Sequence, residues 1–219
     1  MIKTLFVTLG MGIFSIQAAN ASVLIDIQGS PLGWSSSAGA SGGATASGAI
    51  NVSKHALRGT LAFQIPIGLY LGGSYSSISN GSTTEEFVNG VSGGDTSTAS
   101  FAEYGPTLGF AKNGFNLGFT YCLGTTFTST DVNKNNSGTV TSDQTQRFQK
   151  GSGFQISFSY TFALFSKVRL GPALLYRSST YEEIATKNNL SGAAEVVTAL
   201  TTKAKFDGIT PMINLVIDL

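Results

Sequence analysis

Residues 115–127 read Phe115-Asn116-Leu117-Gly118-Phe119-Thr120-Tyr121-Cys122-Leu123-Gly124-Thr125-Thr126-Phe127. The odd positions carry Phe115, Leu117, Phe119, Tyr121, Leu123, Thr125 and Phe127; the even ones carry Asn116, Gly118, Thr120, Cys122, Gly124 and Thr126. A period of two is the signature of a strand, whose successive side chains point to opposite faces. One face is large and apolar and the other small and mostly polar. The expectation is a single long strand with every odd residue from Phe115 to Phe127 on one side.

Working outward, the same rule recurs. Phe154, Ile156, Phe158, Tyr160 and Phe162 oppose Gly153, Gln155, Ser157, Ser159 and Thr161. Val168, Leu170, Pro172, Leu174 and Tyr176 oppose Arg169, Gly171, Ala173, Leu175 and Arg177. Ala102, Tyr104, Pro106, Leu108 and Phe110 oppose Phe101, Glu103, Gly105, Thr107 and Gly109. Weaker alternation covers 57–65 and 69–75, a first strand holds Val23, Ile25 and Ile27, and a last one runs Ile209 to Leu219. The count is about eight strands of the 9–11 residues that a tilted membrane strand requires. Ten result if 50–52 or 196–200 pair separately. Pro106, Pro172 and Pro211 fall inside these runs; proline cannot donate to a ladder, so edges or bulges are expected there.

Short turns fall near Pro66, at Lys112-Asn113-Gly114 and at Phe165-Ser166-Lys167. Long polar links are expected over 35–54, 80–98, 128–145 and 182–203. Four long links and three short turns fit eight antiparallel strands with both termini on the short-turn side. Outer-membrane barrels show this asymmetry of short periplasmic turns and long external loops.

Charged residues make up only 11% of the chain, whereas a typical soluble domain has roughly a quarter. The small polar face carries few ions, so the large apolar face is the one expected to meet lipid, around a narrow lumen filled by side chains. Threading places Tyr75, Tyr104, Tyr121 and Tyr176 near the external end of the apolar band, and Phe63, Phe110, Phe115 and Phe162 near the periplasmic end. Two aromatic girdles are expected of such a barrel.

At the start, Lys3, the apolar run from Leu5 to Ile16 and Ala19-Asn20-Ala21 read as a cleaved signal peptide over 1–21, leaving 22–219 as one barrel domain. No cysteine lies near the cleavage site, so no lipoprotein anchor is expected. Lys3 is the peptide's only charge, so 13 Lys+Arg become 12 against 12 Asp+Glu; that balance gives no case for nucleic-acid binding. The lone Cys122 forms no disulfide within the chain and reads as a packed, inert thiol.

The signal peptide, the eight alternating segments and the strand ending at Leu219 resemble the small OmpA/OmpX-type outer-membrane barrels of Gram-negative bacteria. The resemblance covers nearly the whole mature chain and is one of architecture. It implies an all-β, closed, antiparallel, up-and-down transmembrane barrel in the outer membrane. It also implies insertion by the barrel-assembly machinery through the C-terminal strand, surrounded by membrane lipid and lipopolysaccharide. Members usually end in an aromatic residue; here the last residue is Leu219. No following periplasmic domain is expected.

The lumen face contains the ionisable residues Asp26, Arg58, Glu103, Arg169, Arg177 and Asp218. Arg169 and Asp218 are expected together near the periplasmic end with Asp26 one strand further, and Glu103 beside Arg58 or Arg177 higher up. Buried charges need partners, so an interior salt-bridge plug is the first reading and a charged constriction in a narrow pore the second. Barrel enzymes acting on lipids use a histidine with a serine. His55, near Ser47 and Ser53, is the single histidine and lacks the spacing of a nucleophile and base. One His and one Cys make no zinc site, and 39–48 is Gly-rich without the context of a phosphate loop. Neither metal nor cofactor is expected. The function expected is non-enzymatic: envelope structure or surface interaction through the external loops, by a monomer. A narrow channel for ions or hydrophobic solutes is the alternative, and a lipid-modifying enzyme the third.

Overall fold

The computed structural model describes residues 21–30, 36–42, 46–88, 91–135 and 137–219; of 36–54 and 80–93 only the backbone is described. The expected signal peptide, apart from Ala21, lies outside these residues. The elements are β1 (Ser22–Gly29), β2 (Ser36–Gly42), β3 (Ala46–Gln64), β4 (Leu69–Val88), β5 (Val91–Lys112), β6 (Phe115–Lys134), β7 (Val140–Tyr160), β8 (Phe162–Phe165), β9 (Val168–Asn188) and β10 (Val196–Asp218).

Each long strand pairs antiparallel with its neighbours in sequence, and β1 pairs with both β3 and β10, so the sheet closes on itself. The closed ring has eight strands, β1, β3, β4, β5, β6, β7, β9 and β10. The short β2 pairs with β3, and β8 pairs with β9 beyond the end of β7. The stretches 50–52 and 196–200 are parts of β3 and β10, which excludes the ten-strand ring.

Following paired residues once around gives the stagger. The path runs Asp218, Leu24, Ala62, Gly72, Thr107, Thr120, Gln155, Arg177 and returns to β10 at Gly208, ten residues from its start. With strands about 4.8 Å apart and a rise of about 3.3 Å per residue, that stagger tilts the strands about 40° from the axis. This is an inclination at which eight strands leave room for side chains and little else.

The three tight turns are where the sequence puts them. Asn113 and Gly114 both take positive φ (54° and 88°), the conformation of a two-residue Asn-Gly hairpin. At the opposite end the structure corrects the sequence reading. The segments expected as long loops are mostly strand: β5 spans 22 residues and β10 spans 23. The outward apolar run of β10, Ile209 to Leu219, covers about 25 Å of height at this tilt, and the whole strand about 55 Å. The barrel therefore continues for about the same distance again beyond its apolar band.

All three prolines lie at ladder irregularities. Pro106 falls in the register shift between Tyr104 and Thr107. Pro172 stands next to the break between β7 and β8, where Gly171 lies against the Tyr160 carbonyl. Pro211 lies beyond Gly29↔Ile213, where the described β1–β10 ladder ends.

Outward alternation holds on every described wall: Phe63, Leu71, Leu108, Phe119, Leu174 and Ile209 are exposed, and Leu123 reaches 63%. One parity expectation fails. Thr125 and Phe127 are buried and face inward. The register shifts between Cys122 and Phe127, and Lys150 across the ladder has φ 49°. A bulge adds one residue and so moves every later side chain to the other face.

Candidate functional site

The interior is filled in tiers. In the first, Asp26 accepts a hydrogen bond from Asn116 Nδ2 at 2.5 Å, with Gln28 Nε2 and Asn214 Nδ2 at 3.4 and 3.5 Å. Asn214 also donates to Ser159 Oγ at 2.7 Å. Tyr70 donates to Asn116 Oδ1 at 3.0 Å, and its ring end occupies the space that Gly109 and Gly118 leave open. Beside it runs a chain of hydroxyls: Thr60 to Ser74, Ser74 to Thr107 and Thr107 to Thr120 link at 2.6–2.7 Å. Arg58 Nη2 donates to Ser74 at 3.0 Å and Thr120 at 3.1 Å. In the next tier Gln155 Nε2 donates to Ser76 Oγ and to Glu103 Oε2, both at 2.5 Å, and Ser179 donates to Glu103 Oε1.

An aromatic cap follows. Phe101 and Phe127 stack at 4.3 Å, with Phe206, Phe148 and Tyr181 around them. The Arg177 guanidinium lies 3.3 Å over the Phe101 ring, in cation–π contact. Leu24, Gln28, Cys122, Leu175, Tyr181 and Asn214 all have 0% exposure, so a water-sized sphere touches none of them. The lumen is sealed at several heights among the described residues.

Arg169 and Asp218 do pair, at 3.0 Å, at the partly exposed short-turn end. The interior charges do not form the expected salt-bridge plug. Glu103 is held by Gln155 and Ser179 and ion-pairs with neither Arg58 nor Arg177; Arg58 is held by hydroxyls. The reason is that short hydroxyl and amide side chains reach the charges first: Gln155 and Ser179 occupy the Glu103 carboxylate, the Arg177 guanidinium lies over the Phe101 ring, and Arg58 is turned to Ser74 and Thr120. The sequence reading missed Tyr70, Phe148, Tyr181 and Phe206 as interior groups. The signal available for the last was the alternation of Ala204, Phe206, Gly208, Thr210 and Met212, all inward or half-buried.

His55 lies on strand β3, exposed on the outer surface and opposite Ser79, not in a loop. Glu103 and Ser179, the acid and hydroxyl in contact inside, are separated from it by the barrel wall. The side chains of Ser47 and Ser53, and of the Gly-rich 39–48, lie outside the described residues. Among the described residues no group of three or more His, Cys, Asp or Glu is placed to hold a metal.

Beyond the apolar band the outer surface turns polar. Ion pairs join Arg147 to Glu195 (2.8 Å), Lys150 to Glu183 (2.5 Å), Lys203 to Glu182 (2.7 Å) and Lys205 to Asp207 (2.9 Å). The hydrogen bond from Lys203 holds the Glu182 carboxyl below its ordinary range. The bond to Glu183 holds the Lys150 ammonium above its own. These charges sit on the β7–β9–β10 wall of the extension.

No family model and no curated protein matches the chain. Among solved structures, the outer membrane protease OmpT from Escherichia coli is similar in fold, with a TM-score of 0.45 and 9% identity, over 91% of this chain and 96% of that one. At that distance the protease's activity says nothing of this chain's chemistry.

Proposed function

We propose that the protein is an outer-membrane barrel that does not conduct, whose task is performed by the polar extension beyond its apolar band. The observation that carries this reading is the pairing of a sealed lumen with an outward band about 25 Å tall, the height expected of a barrel's lipid-facing surface. Large apolar side chains on a whole circumference are at odds with water, and closure satisfies the backbone as a bilayer requires. Above the band the hydroxyls and ion pairs suit water. The role is structural or one of surface interaction, and non-enzymatic. His55 stands apart from any acid in the described structure, which favours that reading over lipid modification. The partners on this reading are membrane lipid and lipopolysaccharide around the band, the assembly machinery at β10, and an external ligand on the extension.

The test is electrophoresis of the outer-membrane fraction with and without boiling, followed by planar-bilayer recording. A compact band that shifts on boiling and a silent bilayer are expected. An unshifted band in a soluble fraction would overturn the membrane reading, and steady conductance steps would replace the sealed barrel with a channel.

A further inference from the structure

Glycine inside a strand weakens it unless something requires the missing side chain. Most glycines in this wall have such a reason: a Cβ at Gly72, Gly105, Gly153 or Gly171 would collide with backbone of the next strand, and at Gly124 with the Tyr104 ring. Gly59 and Gly73 have none. A Cβ on Gly59 would meet no atom within 4 Å, and one on Gly73 only the Gly105 carbonyl at 3.9 Å; neither residue has positive φ. Both face outward, in the columns of Leu61 and Tyr75, and they are diagonal neighbours, since Gly59 pairs with Tyr75 and Leu61 with Gly73. The two missing side chains leave a groove of about 610 Å³ in the outer face, walled by Ile27, Leu61, Tyr75, Tyr104 and Leu123.

We propose that this groove holds one acyl chain of a phospholipid as a resident lipid; the proposal rests on the membrane reading above. The walls are apolar and the groove is open to the side, as a flexible chain entering from the bilayer needs. A second copy of the barrel fits less well, because a two-fold contact through this site sets one hollow against another. A polyphosphorylated saccharide headgroup also fits less well. The described outward residues above the groove, His55, Leu57, Ser77, Ser79 and Ala102, include no lysine or arginine, whereas the ion-paired lysines and arginines gather on the far β7–β9–β10 wall.

The test compares the full barrel with G59L/G73L, both refolded into phosphatidylethanolamine–phosphatidylglycerol vesicles, extracted gently and weighed by native mass spectrometry. Wild type should retain one phospholipid per barrel, and the groove-filled variant should lose it while keeping its heat-shifted band. Ser77→Leu, outward but beyond the groove, should retain it. If the leucine variant does not fold, Gly59→Met with Gly73→Met, whose unbranched flexible side chains also occupy the groove, gives the same comparison. Equal retention by wild type and variant in inserted barrels would overturn the groove and leave the membrane reading standing. Wild-type dimers that the variant breaks, or retention seen only after lipopolysaccharide is added, would overturn the phospholipid assignment. Wild type that fails to insert would overturn both readings.

Discussion

Replacing Tyr70 with phenylalanine and Gly118 with alanine, singly and together, tests whether the lumen is packed as described. The Tyr70 hydroxyl donates to Asn116 Oδ1 at 3.0 Å, and a Cβ on Gly118 would stand 2.6 Å from that same hydroxyl oxygen and 2.7 Å from Ser157 Oγ. Tyr70→Phe leaves the amide oxygen without its donor, a loss of about 1–3 kcal/mol for a buried group. Gly118→Ala overpacks the site, displacing the hydroxyl at a cost of about 1–3 kcal/mol. In the double variant the tyrosine oxygen is already gone and only Ser157 Oγ, which can rotate to another rotamer, still stands in the methyl's way, so part of the overpacking cost is relieved. The cycle should show coupling of at least about 1 kcal/mol, with the double variant more stable than the sum of its parts. The assay is urea unfolding of the barrel in lipid vesicles, scored by the heat-shifted band. A coupling of this size moves the midpoint by about 0.3–1 M urea. Additivity within about 0.5 kcal/mol would refute the contact, and with it the inward register of β4 against β6.

Three further outcomes follow from the geometry. Phe119→Arg, in the middle of the outward band of β6, should destabilise the inserted barrel by about 2–4 kcal/mol. Ser100→Arg, exposed above the band on β5 and opposite only the uncharged Ser79 and Thr128, should stay within about 0.5 kcal/mol; equal effects in vesicle unfolding would remove the lipid-facing band. Glu103→Gln takes the carboxylate away from Gln155 and Ser179 and should cost about 1–3 kcal/mol; a stable variant by the same assay would mean the tier does not hold the barrel. Phe101→Ala with Phe127→Ala should remain silent in planar bilayers, because the Arg58 and Asp26 tiers still close the lumen; a conducting variant would show that the aromatic cap is the seal.

The band was legible because two solvents meet there. Phe115 to Leu123 alternate cleanly since lipid demands large apolar groups on one side and the lumen small ones on the other. Beyond Leu123 both faces border water or a mixed interior, the contrast fades, and Ser, Thr and charges read as loop although the backbone goes on pairing. The inward turn of Phe127 depended on a bulge at 123–124, and nothing in a run of Gly and Thr marks which residue will be the extra one. Of the candidate charges, Arg169 and Asp218 were legible because their strands are neighbours and their positions terminal. Glu103 was not, because its partners Gln155 and Ser179 come from other strands, and a hydroxyl carries no pattern that distinguishes a ligand of a carboxylate from a filler of space.

Among the described residues the seam between β1 and β10 is the shortest of the eight in the ring, ending at Gly29↔Ile213, and it joins strands far apart in sequence: Asp26 and Asn214, in contact across it, are 188 residues apart. Closing so long a loop costs about 5 kcal/mol of chain entropy, some 3 kcal/mol more than a tight hairpin. The neighbouring ladders form locally and in any order, but this one is rewarded only when all the others already hold the ends together. That entropy cost predicts that this pairing is made last during insertion and opens first under force or heat.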